Sequence, residues 1–241
     1  CLRIDDTSKP PATQGNILLD RLAGAEIVWI DHDDWARQAD VYEEQAARLR
    51  AQGRKPYIIP EGGSNEIGTW GYIRCAEELA AQLGEMPTAK TTIVYACGSG
   101  GTGAGLILGS KLYDFAKLGA TVAGINVCDD AAYFQKRIEG ICEKFSARYP
   151  NVASATASDV TMIDGYVGAG YAKSQSEELA CLQAMAKREA IILDPVYTGK
   201  AFYGITKELA KDPSCFGERI VFVHTGGIFG LFGSALEASF A

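Results

Sequence analysis

The stretch Val94–Gly109, V-Y-A-C-G-S-G-G-T-G-A-G-L-I-L-G, passes from an apolar run through a glycine-rich turn straight into a segment of helical period. Such a succession reads as a strand feeding a helix through a turn whose small residues let the backbone come close to whatever it faces. In that turn the N–H groups of Ser99 to Thr102 can converge on one point. The helix start adds unpaired donors and the positive end of its dipole, so the loop suits an anion such as a phosphate. The hydroxyls of Ser99 and Thr102 add further hydrogen bonds. A tight strand-to-helix connection holding no ligand would use the same glycines.

Two common nucleotide loops fit poorly. Gly101 is followed by Thr102 and Gly103 rather than by a lysine, which disfavours a P-loop nucleoside triphosphatase. Gly98, Gly100 and Gly103 do spell G-x-G-x-x-G, yet the next apolar run, Thr121 to Val127, contains Asn126 and reaches an acid only at Asp129. A dinucleotide site wants that acid at the end of the strand.

Composition narrows the class. The 241 residues are 47% hydrophobic and 22% charged, enough to bury a core in one globular unit or two small lobes. A net charge of -7 with both signs interspersed predicts neither nucleic acid nor anionic membrane as a partner. Seven scattered cysteines without a C-x-x-C pair suggest a reduced, cytoplasmic setting, with Cys97 a buried small hydrophobe rather than a nucleophile. Two histidines, His32 and His224, cannot build a multi-histidine metal site. The chain opens on Cys1 and meets Pro10-Pro11 soon after, and reads as a piece of a longer protein.

Short β-branched runs alternate with helical segments, the pattern of an α/β fold with a mostly parallel open sheet and helices on both faces. The strand candidates are Glu26–Ile30, Pro56–Ile59, Thr92–Ala96, Thr121–Val127, Ala190–Leu193 and Arg219–His224. Trp35, Ala39, Tyr42, Ala46 and Leu49 share one helical face, and Phe134, Ile138, Ile141 and Phe145 share another. A boundary is expected near Pro60–Gly63.

Four more segments put small or hydroxylated residues just after a strand or before a helix, where open α/β sheets bind ligands. They are Pro60–Asn65 (P-E-G-G-S-N), Asp164–Tyr171 (D-G-Y-V-G-A-G-Y), Leu193–Lys200 (L-D-P-V-Y-T-G-K) and Val223–Gly227 (V-H-T-G-G). Together with C-G-S-G-G-T they outline one pocket.

This ordered set resembles the D-cysteine desulfhydrase and 1-aminocyclopropane-1-carboxylate deaminase family of pyridoxal-phosphate enzymes. The resemblance runs along essentially the whole chain and corresponds to the later two-thirds of a family member. It implies a fold-type II, two-lobed architecture, N-terminally incomplete, with residues 1–61 the remainder of a smaller substrate-closing domain and 62–241 the larger cofactor-binding domain. It also implies a homodimer and a small amino-acid substrate. Carried over by motif, Gly98, Ser99, Gly100, Gly101 and Thr102 would grip the cofactor phosphate. Thr225 would face the pyridine nitrogen, although a threonine capping a helix near Gly227 explains it too. Tyr197 and Tyr166 would be the active-site tyrosines, their phenols lowered by a nearby amine.

Thr198 stands where the deaminases of the family have a glutamate. A neutral hydroxyl partner makes the ring a weaker electron sink, sufficient when a good leaving group departs from the β-carbon. The sequence therefore points to a β-eliminating lyase acting on D-cysteine to give pyruvate, sulfide and ammonia. The deaminase and a cysteate sulfo-lyase are the enzymatic alternatives. The family's cofactor-anchoring lysine sits in an early G-G-N-K type motif that does not occur here, nor does the following Q-S-N-H type segment. Lys55, Lys173 and Lys200 do not occupy that context, and Lys200 reads as a solvent-exposed or phosphate-side charge. This leaves a non-catalytic phosphate-ligand-binding module as the alternative of another class. Asn65 could touch substrate, but Ser64 or Asn65 capping the next helix is the favoured reading. Glu61 reads as a residue of the crevice mouth.

Overall fold

The computed structural model describes residues 1–233, which form two compact units: residues 1–60 with the described residues from Phe229 on, and Glu61–Ile228. The tail from Phe229 thus belongs with the first unit rather than with the larger domain, and there Gly15 packs on the Phe229 carbonyl, 2.9 Å from where a Cβ would stand.

In the first unit a two-residue parallel pair joins β1 (Leu2–Arg3) to β2 (Trp29–Ile30), followed by α2 (His32–Ala36) and α3 (Gln38–Ala51), with α1 (Gly15–Leu22) between the strands. The expected single helix bearing Trp35 to Leu49 is broken at Arg37, whose backbone leaves the helical region. The face that α3 buries is Val41 and Ala46, while Ala39 is exposed. Pro56–Ile59 is not a strand: it finds no ladder partner among the described residues, and Tyr57 and Ile59 are exposed.

The second unit is built on a parallel sheet ordered β5-β4-β3-β6. Its strands are β3 (Thr91–Cys97), β4 (Ala120–Asn126), β5 (Met162–Ile163) and β6 (Arg219–Val223). Both central strands are buried along nearly their whole length because both faces are covered. Side chains alternate: Ile93, Tyr95 and Cys97 pack beneath α4 (Thr69–Gly84), α5 (Gly101–Leu112) and α6 (Ala131–Arg148), while Val94 and Ala96 face α8 (Thr198–Lys211). Phe134, Ile138, Ile141 and Phe145 of α6 are all buried in the first of these cores. Ala190–Leu193, which follows α7 (Ser176–Glu189), makes no ladder, since Ala190 ends that helix in the left-handed region. Among the described residues no helix is long and apolar enough to cross a membrane.

The connection from β3 runs through α5 to β4 on one side, whereas β6 lies on the other and is reached through α8 on the opposite face. A crevice opens where neighbouring strands diverge in this way, at their carboxyl ends. The turns after β3 and β6 therefore meet there.

Helix α5 is buried along Gly103–Gly109 and lies against α4 with almost no side chain between them. A Cβ at Gly105 would stand 2.4 Å from Cβ of Tyr72 and 2.7 Å from the Thr69 carbonyl oxygen. Gly105→Ala is expected to cost about 1–3 kcal/mol through overpacking, measured as a lower urea midpoint; an unchanged midpoint would contradict the contact.

Candidate active site

Residues of the glycine turn are held from three directions. β3 ends at Cys97, Gly100 takes a left-handed φ of 91°, and α5 starts at Gly101. Ser64 Oγ accepts the Gly101 N–H (3.1 Å) and donates to Ser99 Oγ (2.7 Å). Arg137 Nε donates to the Ser99 carbonyl (2.8 Å), and its guanidinium lies 3.8 Å from Glu61. The expectation that all amides from Ser99 to Thr102 converge on a ligand is thus corrected at Gly101, whose N–H has a protein partner. The N–H groups of Thr102 and Gly103, in the first turn of α5, find no acceptor among the described residues and remain for an anion.

Above the turn lies a cavity of about 290 Å³, bounded by Glu61, the turn itself, Tyr197 and Thr225–Gly227. That is the lower end of the range for small-molecule sites.

Tyr197 immediately precedes α8, and its ring lies flat enough on Gly98 that a Cβ there would be 2.6 Å from Cε1. Asp194 sets this corner. Its buried carboxylate accepts the N–H groups of Val196 (2.8 Å), Tyr197 (2.8 Å) and Thr198 (2.7 Å) and the Thr198 hydroxyl (2.6 Å). A carboxylate at a helix start is stabilised by the free amides and the dipole, without a cation. Thr198 is therefore a capping residue, fully buried and turned to Asp194 rather than to the cavity.

The two tyrosines expected together are apart. Tyr166 is buried against Gly204, and its hydroxyl donates to Glu208 beside Lys211, at the far end of α8. Tyr171, five residues on in the same motif, is the tyrosine beside Tyr197: their hydroxyls lie 2.6 Å apart. Burial pushes the Tyr197 phenol far above its ordinary value, and the Tyr171 hydrogen bond adds to this. The expected lowering by an amine is not found. Tyr197 carries its proton.

Lys200 is also unlike the expectation. It is fully buried, and Nζ donates to the carbonyls of Val167 (2.5 Å) and Gly170 (2.8 Å). Burial lowers its pKa, offset in part by Glu178. It does not line the cavity, so it stands in for no cofactor anchor.

Thr225 borders the cavity, held by a brace: His224 Nε2 lies 2.9 Å from the Ile192 carbonyl while Nδ1 accepts the Gly226 N–H (3.1 Å). The first bond needs the proton on Nε2 and the second needs none on Nδ1. Asn65 is outside the cavity lining. Its Oδ1 accepts the N–H groups of Ile67 (3.1 Å) and Gly68 (2.8 Å), which makes it the cap of the turn entering α4.

A family model described as "Pyridoxal-phosphate dependent enzyme" matches residues 6–226. The chain belongs to this family. It is 41% identical over 227 residues to the bifunctional D-cysteine desulfhydrase/1-aminocyclopropane-1-carboxylate deaminase, mitochondrial, of Arabidopsis thaliana, covering 92% of this chain and 54% of that protein. It is 36% identical to the D-cysteine desulfhydrase of Serratia proteamaculans, covering 95% of this chain and 67% of the relative. The chain thus spans about half to two-thirds of the length of these relatives. A crystal structure of an ACC deaminase homologue superposes with a TM-score of 0.82 at 35% identity, covering 98% of this chain and 69% of that one. The α/β fold with its parallel sheet is the fold-type II architecture of this family.

Pyridoxal phosphate, the family's cofactor, suits the residues present. The amides of Thr102 and Gly103 are free for a phosphate, and the absence of a side chain at Gly98 leaves the cavity floor to the Tyr197 ring. Arg137, Tyr171 and Asp194 were not among the residues singled out from sequence, and Ser64, expected as a helix cap, instead bonds the glycine turn. Tyr171 was within a quoted motif, but its spacing alone does not tell it from Tyr166.

Asp194→Ala should destabilise the protein by about 2–4 kcal/mol, since two half-buried amides and the buried amide and hydroxyl of Thr198 lose their acceptor; an unfolding free energy unchanged in urea would refute the cap. The Cys128 thiol, pushed up to about 12 chiefly by burial, and Cys97, pushed higher still, stay protonated at neutral pH. Because the thiolate is the reactive form, native alkylation at both sites should be slow at pH 7 and rise only in strong alkali. Rapid labelling of either at pH 7, read by mass spectrometry, would contradict their burial.

Proposed function

We propose that this chain is the cofactor-binding part of a β-eliminating lyase that acts on D-cysteine, or a closely related small amino acid with a leaving group on its β-carbon. The observation that carries this reading is the neutral character of the cavity opposite the glycine turn. Thr225 borders it there, and Glu61, already facing Arg137, is the sole acid of its lining among the described residues. When bound, pyridoxal phosphate supplies an electron sink for negative charge at the substrate α-carbon. Thr102 and Gly103 would hold its phosphate through their amides and the α5 dipole. Thr225 would offer a hydroxyl at the ring-nitrogen end, a weaker support for negative charge than a carboxylate, and enough where a thiol leaves.

Tyr197 and Tyr171 form the proton-handling pair. Two hydroxyls 2.6 Å apart share one hydrogen bond, so one phenol can donate into the cavity while the other replenishes it. With its raised pKa, Tyr197 serves as a proton donor rather than as a phenolate. The similarity to proteins named for D-cysteine desulfhydrase activity supports the choice of substrate. Cytoplasmic location and a homodimer of the full-length protein complete the proposal.

A second reading has its own observation. No lysine lines the cavity among the described residues, so the chain taken alone would be a binding module for a phosphorylated ligand, without turnover.

Two measurements test these readings. The full-length protein containing this chain should release sulfide and pyruvate in equal amounts from D-cysteine, and ring-opening activity on 1-aminocyclopropane-1-carboxylate exceeding it would overturn the assignment. In equilibrium dialysis this chain should bind pyridoxal phosphate at least about tenfold more tightly than pyridoxal, the worth of a charge-assisted phosphate hydrogen bond. Equal affinities would remove the phosphate role from the glycine turn.

A further inference from the structure

The segment that carries Tyr171 has little backbone support. Between Gly165 and Lys173 it belongs to no strand or helix, and Gly165, Gly168, Gly170 and Ala172 all have positive φ. Its backbone–backbone hydrogen bonds are a 3.4 Å contact from Gly170 N–H to the Val167 carbonyl and a 3.1 Å bond from Lys173 N–H to the Gly170 carbonyl, and Gly165 N–H is held by the Asp164 carboxylate at 2.8 Å. Yet the hydroxyl of Tyr171 sits within 2.6 Å of Tyr197, a residue fixed to the start of a helix. Tyr166 ties the start of the segment to the far half of α8, and the end that carries Tyr171 must be tied to the near half as well.

Lys200 does this. It rises from the first turn of α8, three residues after Tyr197, and its ammonium donates to the carbonyls of Val167 and Gly170, the latter the residue directly before Tyr171. We propose that Lys200 is a positioning residue, a buried ammonium clamp that fixes the Tyr171 loop to α8 and so sets the separation of the two tyrosine hydroxyls. The proposal rests on the reading of Tyr171 and Tyr197 as the proton-handling pair.

Chemistry favours a clamp over a charge kept for stability. No carboxylate lies within ion-pair distance of Nζ among the described residues. A buried charge in such surroundings is commonly matched or bettered by an apolar side chain of similar volume. An ammonium, unlike methionine, can bond two carbonyls of one loop at once, adding a charged donor to the single N–H that each accepts from within the loop. Glu178 completes the seat without neutralising it. Its carboxylate accepts the Gln175 N–H (2.8 Å) and lies under Gly168, where a Cβ would be 2.4 Å from Oε1.

The test uses this chain with Lys200→Met, an unbranched apolar replacement, beside Ile205→Val, which trims the core on the same helix. Amide exchange over residues 166–172 and tryptic cleavage after Lys173 should both accelerate at least about tenfold in K200M, as expected where charged hydrogen bonds that close a loop are lost. Exchange within α8 should stay unchanged, and I205V should leave the loop as it is. Should K200M fail to unfold cooperatively, K200Q, whose amide keeps a donor for one carbonyl, carries the same comparison and should show a smaller acceleration. Loop exchange in the folded variant equal to that of the parent overturns the clamp, as does acceleration spread evenly over α8 and the loop. These readouts need neither cofactor nor substrate. A loosened loop with no sulfide released by the full-length parent would uphold the clamp and refute the proposed activity; an unchanged loop in an active enzyme would do the reverse.

Discussion

The site depends on how closely other elements can approach the end of β3. Three glycines there leave volume that three side chains from different elements occupy: the Tyr197 ring on Gly98, Ser64 on Gly101 and Tyr95 on Gly103, each at a distance a Cβ would close. The glycines thus do more than permit a turn. They let a helix start, a loop and the sheet core meet at one point, and that meeting places the free amides of α5 beside the Tyr197 ring and the Thr225 loop. A methyl group at any of the three would separate elements that the chemistry needs together.

A second layer of support is electrostatic and uses few formal charges against each other. Asp194 is satisfied by amides and a hydroxyl at the start of α8, and the same residue packs on Gly227, 2.7 Å from where its Cβ would be. Through this one carboxylate the corner bearing Tyr197 and the turn bearing Thr225 share a wall. His224 adds a second link by bridging Ile192, two residues before Asp194, to Gly226. Displacing either segment costs hydrogen bonds in the other, and so the two sides of the cavity keep their spacing.

Legibility from sequence followed the strength of each local signal. β3, β4 and the buried stripe of α6 were readable because long apolar runs and a full helical period leave one structural solution. The two-residue strands β1 and β5 carry no periodicity to read, and Pro56–Ile59 and Ala190–Leu193 have strand composition without a strand to pair with. The glycine turn was readable as a strand-to-helix connection, which β3 and α5 bear out, but the Ser64 hydroxyl that takes its Gly101 amide comes from tertiary contact. Tyr166 and Tyr171 differ in placement because the chain between them turns through left-handed Gly168 and Gly170, a geometry no spacing rule contains. Lys200 was misread for a related reason. An ammonium at a helix start looks like a surface charge until two carbonyls of a distant loop are brought onto it.

These arrangements share a consequence for how the cavity treats charge. Lys200 spends its ammonium on carbonyls behind the Tyr171 loop, Asp194 spends its carboxylate on α8, and Arg137 is drawn to the Ser99 carbonyl and to Glu61. What faces the interior is largely a set of oriented dipoles: two amides at the start of α5, the hydroxyls of Tyr197 and Thr225, and the backbone of the turns. Dipoles fixed in place by surrounding structure stabilise an anionic group without the reorganisation that water would need. They also leave the interior free of a mobile counter-charge that would compete for the phosphate or for a substrate carboxylate. The buried charges therefore act at one remove, holding to their directions the dipoles on which the proposed anion site relies.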